Sequence, residues 1–157
     1  MKIALIVIIA IAVLYYFYNS LSNQKTATLN IEKGDIFLAD NAKRDGVKIT
    51  ASGLQYEVLQ QGDGTKHPDE HSTVDVHYHG TLIDGLVFDS SVERGESISF
   101  PLDRVIKGWT EGLQLMKKGD KFRFFIPADL GYGSRSAGKI PPGSVLIFEV
   151  ELLAIDS

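Results

Sequence analysis

The chain has 157 residues, of which 44% are hydrophobic, a formal net charge of −4 and no cysteine. That length suits one globular domain with a sizeable core, and the acidic balance lacks the basic footprint that holds phosphate backbones, so nucleic acid is not an expected partner. Without cysteine there is no disulfide, thiolate metal site, thiol nucleophile or lipidated cysteine.

From Ile3 to Tyr18 every residue is apolar or aromatic, and no charge falls between Lys2 and Lys25. As a helix this run covers roughly 24 Å, and the neutral residues Asn19 to Leu21 extend it toward the ~30 Å of a hydrocarbon core. Residues 3–21 are therefore expected to form one membrane span. Tyr15, Tyr16, Phe17 and Tyr18 cluster at its far end, where amphipathic rings favour the lipid–water boundary. Lys2 precedes the span, so the positive-inside bias keeps the short N-terminus in the cytoplasm and sends the rest across. Residues 1–22 read as a signal-anchor in the cytoplasmic membrane, single-pass, with the domain facing the periplasm of a bacterium. The competing reading is a signal peptide cleaved at the small-x-small pattern of Ser20 and Ser22.

Residues 23–51 read as a polar tether through Asn30 and a short stalk helix between Ile31 and Asp45, with Gly46 as its stop. The stalk's apolar face, Ile36, Phe37 and Leu38 with Ala39 and Ala42, is narrow, and Gly34 is expected to weaken it. Beyond Ser52 the apolar period changes to two. Leu54, Tyr56 and Val58 make one strand, Val74, Val76 and Tyr78 another, Phe122, Phe124 and Ile126 a third, and Leu146, Phe148, Val150 and Leu152 a fourth. Asp84-Gly85 marks a tight hairpin. Val105, Ile106, Trp109, Leu113 and Met116 recur at steps of three and four, which predicts one short helix stopped by Lys117-Lys118-Gly119. The expected fold is α+β: a curled antiparallel sheet, a half-barrel, packed over one short helix in residues 52–157, preceded by the span and the stalk.

Within this domain occur, in order, Val76-His77-Tyr78-His79-Gly80, Asp84-Gly85 followed by Phe88-Asp89-Ser90-Ser91, Val105-Ile106-Lys107-Gly108-Trp109 with Glu111-Gly112, Gly131-Tyr132-Gly133, Ile140-Pro141-Pro142 and Phe148-Glu149-Val150-Glu151-Leu152. This ordered set resembles the FKBP-type peptidyl-prolyl cis-trans isomerases. The junction from Phe37 to Tyr56 is similar to that of the macrophage infectivity potentiator group, with the hydrophobic span standing where the group carries a long dimerisation region. The resemblance implies a pocket in which Trp109 is the floor and Phe88, Ile98, Val105 and Phe148 hold the substrate proline. It gives the chemistry to Tyr78, Asp89, the Ile106 backbone N–H and the Tyr132 hydroxyl. Ile98 is aliphatic where many relatives carry an aromatic, and the loop from Ser134 to Lys139 is slightly short.

The chemistry implied suits the residue types. Rotation about an amide C–N bond faces a barrier of about 18–20 kcal/mol from lost resonance, and an apolar pocket that strips water from the carbonyl favours the less polar twisted form. No covalent nucleophile is needed, and no cofactor is expected. The implied partners are unfolded or exported proline-containing polypeptides, with macrolides of the tacrolimus and rapamycin type as inhibitors. The alternative is an FKBP-like client-binding or scaffolding module with little isomerase activity. His67, His71, His77 and His79 lie close in sequence, but four imidazoles without cysteine or an organised carboxylate set read as solvated, and no metal is expected.

Overall fold

The computed structural model describes the backbone of residues 2–156 and the side chains of residues 6–156. One helix, α1 (Lys2–Asn41), runs for 40 residues through the apolar segment, the expected tether and most of the expected stalk. The tether reading is thus corrected. Residues 22–30 contain neither glycine nor proline, and extending a helix already nucleated on both sides adds one hydrogen bond per residue fixed. The hydroxyls of Thr26 and Thr28, which could have drawn the chain away from helix, instead donate back to the carbonyls of Ser22 and Gln24 at 2.9 and 3.1 Å. Polarity there marks a helix face in water.

The last third of α1 is fixed to the domain. Ala27, Gly34, Leu38 and Asn41 are buried, recurring along one stripe of the helix. A Cβ on Gly34 would stand 2.6 Å from Cγ2 of Val145, and one on Gly143 would stand 2.3 Å from the Ala27 carbonyl oxygen, so glycine at both places lets helix and loop touch. Gly34 therefore trades helix propensity for close packing. Leu38 joins Phe125 and Val145 in a small apolar cluster, flanked by Phe37 and Ile147. Polar contacts finish the joint: Asn30 Nδ2 donates to the Pro142 carbonyl at 2.8 Å, Asn41 Nδ2 to Gln55 Oε1 at 2.8 Å, and Gln55 Nε2 to the Leu38 carbonyl at 2.9 Å.

Seven antiparallel strands follow: β1 (Lys48–Ile49), β2 (Gln55–Gln60), β3 (Thr73–Thr81), β4 (Val87–Ser90), β5 (Ile98–Pro101), β6 (Lys121–Ile126) and β7 (Leu146–Asp156). Their order is β1-β2-β6-β7-β3-β4, with β5 pairing the other end of β3. Since β1 pairs β2, the sheet begins at Lys48, ahead of the expected boundary at 52. The two long inner strands alternate strictly: Val74, Val76 and Tyr78 on β3, and Leu146, Phe148, Val150 and Leu152 on β7, are buried on one face.

On that face lies α3 (Lys107–Leu113). A Cβ on Gly108 would meet Ile126 at 2.6 Å and one on Gly112 would meet Phe124 at 2.7 Å, so the two glycines bring the helix down onto β6. The helix is shorter than its apolar period. Val105 and Ile106 are extended and precede it, while Leu115 and Met116 close turns beyond it through bonds to the Gly112 and Leu113 carbonyls. The periodicity records burial on both sides of the helix as well as within it. A four-residue helix, α2 (Ser91–Arg94), follows β4, capped by Ser90, whose Oγ accepts from the Glu93 N–H at 3.1 Å.

Candidate functional site

Where β3, β4, β5 and β7 curl past the start of α3, they leave a cleft of about 1210 Å³. All nine residues expected at the site line it: Tyr78, Phe88, Asp89, Ile98, Val105, Ile106, Trp109, Tyr132 and Phe148. A smaller hollow of about 540 Å³ at the other end of α3, by Tyr56, Leu115 and Phe122, contains none of them.

The floor is an aromatic box. Trp109 is 4% exposed, and Tyr78, Phe100 and Phe148 stand edge-on to its indole with ring centroids at 5.4, 5.4 and 5.2 Å. Phe88 is edge-on to Phe148 at 5.2 Å. Edge-to-face pairs of this kind add about 0.5–1.5 kcal/mol each beyond area burial, so the box is stiff. Gly80, opposite Phe148 on β7 and Asp89 on β4, makes the room: a Cβ there would lie 2.7 Å from the Phe88 ring and 2.8 Å from that of Phe148. The Trp109 Nε1–H is buried without an acceptor.

The polar wall is a closed triad. The Tyr78 hydroxyl donates to Asp89 Oδ2, Arg94 Nη1 donates to Asp89 Oδ1, and Arg94 Nη2 donates to the Tyr78 oxygen at 3.1 Å. Burial pushes the Asp89 carboxyl up, but the hydrogen bonds from Tyr78 and Arg94, with the guanidinium charge, outweigh it and hold the group below its ordinary range. Burial, and then the bond to Asp89, raises the Tyr78 phenol. Both carboxylate oxygens are thus engaged, and Asp89 is an anchor for its neighbours and has little capacity as a base.

Two further donors remain open. The Ile106 N–H, in the extended residue that caps α3, donates to no protein acceptor among the described residues, although its carbonyl accepts from Trp109 at 2.9 Å and Thr110 at 3.1 Å. Tyr132 lies across the cleft, 36% exposed, and its hydroxyl has no hydrogen-bond partner among the described residues. The loop carrying it is ordered by bonds from Gly133 N to the Ala128 carbonyl, from Gly143 N to the Gly133 carbonyl, and between Ala137 and Ile140.

Sequence reasoning missed Arg94 and Phe100. Phe100 had a signal, since it shares a strand face with Ile98 at a spacing of two. Arg94 had none: it reaches Asp89 only because α2 turns the chain back. The histidines do not converge. His77 and His79 bond the Ser91 and Ser90 hydroxyls, His67 the Met116 carbonyl, and His71 lies beside Glu70; among the described residues no three potential ligands gather.

The sequence pattern of the FKBP-type peptidyl-prolyl cis-trans isomerase matches residues 64–153. The chain belongs to the FKBP-type isomerase family. A second pattern, the domain amino terminal to FKBP-type isomerases, matches residues 12–58, which takes in most of α1. FkpA of Aeromonas hydrophila is 58% identical over 132 residues, covering 84% of this chain and 49% of the relative. The outer membrane protein MIP of Legionella longbeachae is 47% identical over 132 residues, 83% of this chain and 56% of the relative. The chain spans about half the length of the curated relatives it matches. Among solved structures, FkpA from Escherichia coli superposes with a TM-score of 0.89 at 44% identity, covering 96% of this chain and 70% of that one. An isomerase from Pseudomonas syringae superposes at 0.77 with 39% identity, covering 83% and 96%. At 96% of this chain, the match to FkpA from Escherichia coli takes in most of α1 as well as the sheet domain.

Proposed function

We propose that this chain is a peptidyl-prolyl cis-trans isomerase, held at the cytoplasmic membrane by residues 3–21 and acting in the periplasm on exported polypeptides. The observation that carries the activity is the aromatic box below two unpartnered donors, in a member of the FKBP-type family. A proline ring fits against the indole of Trp109, between Phe88, Phe148 and the aliphatic rim of Ile98, Val105 and Ile106. Desolvation there removes the water that stabilises the planar, polar amide, and the twisted amide is favoured relative to it. The Ile106 N–H and the Tyr132 hydroxyl hold the flanking substrate carbonyls and keep the twisted geometry. Asp89 and Arg94 fix Tyr78 as one wall. No proton is transferred and no cofactor is called on.

For the membrane, support comes from the exposed apolar side chains of Ile6 to Tyr18 on a helix long and apolar enough to span. A relative named outer membrane protein MIP lends weight to the same reading. Activity is tested by measuring cis/trans exchange in a proline peptide; exchange at the uncatalysed rate at micromolar protein would leave the client-binding alternative. A macrolide of the tacrolimus or rapamycin type should fill the same cleft and inhibit. With one tryptophan in the chain, its emission reports the event directly. Full activity and unchanged emission at saturating macrolide would refute the assignment of the cleft.

A further inference from the structure

The charge of the cleft runs against that of the chain. Overall the protein carries −4, yet five cations line the cleft, Arg94, Arg104, Lys107, Arg135 and Lys139, against two carboxylates, Asp89 and Asp129. Arg94 is spent on Asp89. The other four cations are exposed, make no ion pair among the described residues, and come from separate parts of the fold: the turn after β5, the start of α3 and the loop before β7. Asp129 is the one carboxylate left to oppose them. The backbone that carries the loop cations is ordered. Arg135 lies two residues before Ala137, and Lys139 lies within the turn that Ala137 and Ile140 close by two backbone bonds of 3.0 and 2.9 Å, and the loop's far end is pinned to α1 through Asn30 and Pro142. Cations around an apolar hole act over about 8–10 Å at moderate salt, which reaches substrate residues two or three places from the bound proline.

Building on the isomerase reading, we propose that this cleft selects prolyl segments flanked by acidic residues, with Arg104, Lys107, Arg135 and Lys139 as specificity determinants. The residue next to the proline is still apolar, since it meets Ile98, Val105 and Ile106. The acidic residues lie beyond it on either side and pair with the rim.

The test uses the full chain in non-ionic detergent micelles and three peptides with one apolar-Pro core, flanked by two Glu, two Gln or two Lys. Exchange spectroscopy gives kcat/KM for each. The expected order is Glu above Gln above Lys, with roughly two- to five-fold per engaged cation, the range of exposed ion pairs. The gap should narrow as salt rises from about 0.01 M to 0.5 M. In the double variant Arg135→Gln, Lys139→Gln, the Glu-to-Gln ratio should fall toward one. Equal rates for all three peptides at low salt would overturn the proposal while leaving the isomerase intact; no acceleration of any peptide would overturn both. Equal peptide rates in micelles, with a rate that responds to phosphatidylglycerol in reconstituted vesicles only in the unsubstituted chain, would assign the cations to the lipid surface instead.

Discussion

Asp89 illustrates how the surroundings of a residue decide its role. Its carboxylate accepts from both Tyr78 and Arg94, so its folded pKa lies below the ordinary 3.8, while that of Tyr78 lies above 10.0. A lowered carboxyl contributes stability that is in place above about pH 4 and is lost as pH falls through the folded value. A raised phenol contributes stability that is in place below about pH 10 and is lost as pH rises through its folded value. No histidine lines the cleft. Isomerisation should therefore be level from about pH 5 to 9, falling only outside that window; a bell centred near neutrality would mean that a proton transfer is involved after all. Tyr132→Phe should lower kcat/KM with thermal stability unchanged, because the exposed hydroxyl bonds nothing in the free protein. Trp109→Ala should cost about 3–5 kcal/mol of stability, since it removes the indole on which three rings stand. Measured melting of the two variants separates these outcomes, and an unaltered Tyr132→Phe rate would remove the second donor from the site. At this scale the meeting of the nine expected residues in one cleft was legible, because the ordered motifs and the resemblance they carry placed them together. Arg94 was not, because its reach to Asp89 depends on the turn of α2.

The joint between α1 and the sheet depends on two glycines in different environments. At Gly143 an added Cβ meets the backbone of Ala27 at 2.3 Å, and φ is +75°, a conformation that L residues rarely adopt. At Gly34 the obstacle is the end of the Val145 side chain at 2.6 Å, which can rotate, and alanine recovers about 1 kcal/mol of helix propensity. Gly143→Ala should therefore destabilise by about 1–3 kcal/mol and loosen the helix, whereas Gly34→Ala should be much closer to neutral. Denaturant midpoints would show the contrast, and equal losses would mean that the joint is not where these contacts place it. The strands β2, β3, β6 and β7 were readable from their period of two, whereas β1 and β5, two and four residues long, are too short to show a period, and the Asp84-Gly85 turn was readable from its composition. The union of tether and stalk was not. Residues 22–30 show no amphipathic period because most of that stretch of helix faces water, and of the docking stripe Ala27, Gly34, Leu38 and Asn41 only Leu38 carries a strong apolar signal.

For the whole molecule, the continuity of α1 would set how the domain stands on the membrane in the proposed anchored form. Forty residues of helix measure about 60 Å, and a span consumes about 30 Å of it. Ala27, the first buried residue of α1 among those described, lies six positions after Leu21, the end of the expected span, which is about 9 Å of helix. With the span in a bilayer as proposed, the domain would ride close above the lipid on a stiff post, with the loop of Pro142 and Gly143 against it. The full chain should fractionate with membranes and resist alkaline extraction, and in spheroplasts added protease should degrade the domain while a cytoplasmic marker survives. Removing residues 1–22 should release a soluble, folded and active protein, because among the described residues the buried ones of α1 begin at Ala27. A flexible Gly-Ser insertion after Asn23 should leave that activity alone but broaden the distribution of distances, read by paired spin labels, between the membrane end of α1 and the domain. An unbroadened distribution would mean that the helix is not one rigid element. A mature chain that starts at Asn23 and is found free in the periplasm would show that the apolar segment is a signal peptide, and the post would then be only the docked remainder of α1.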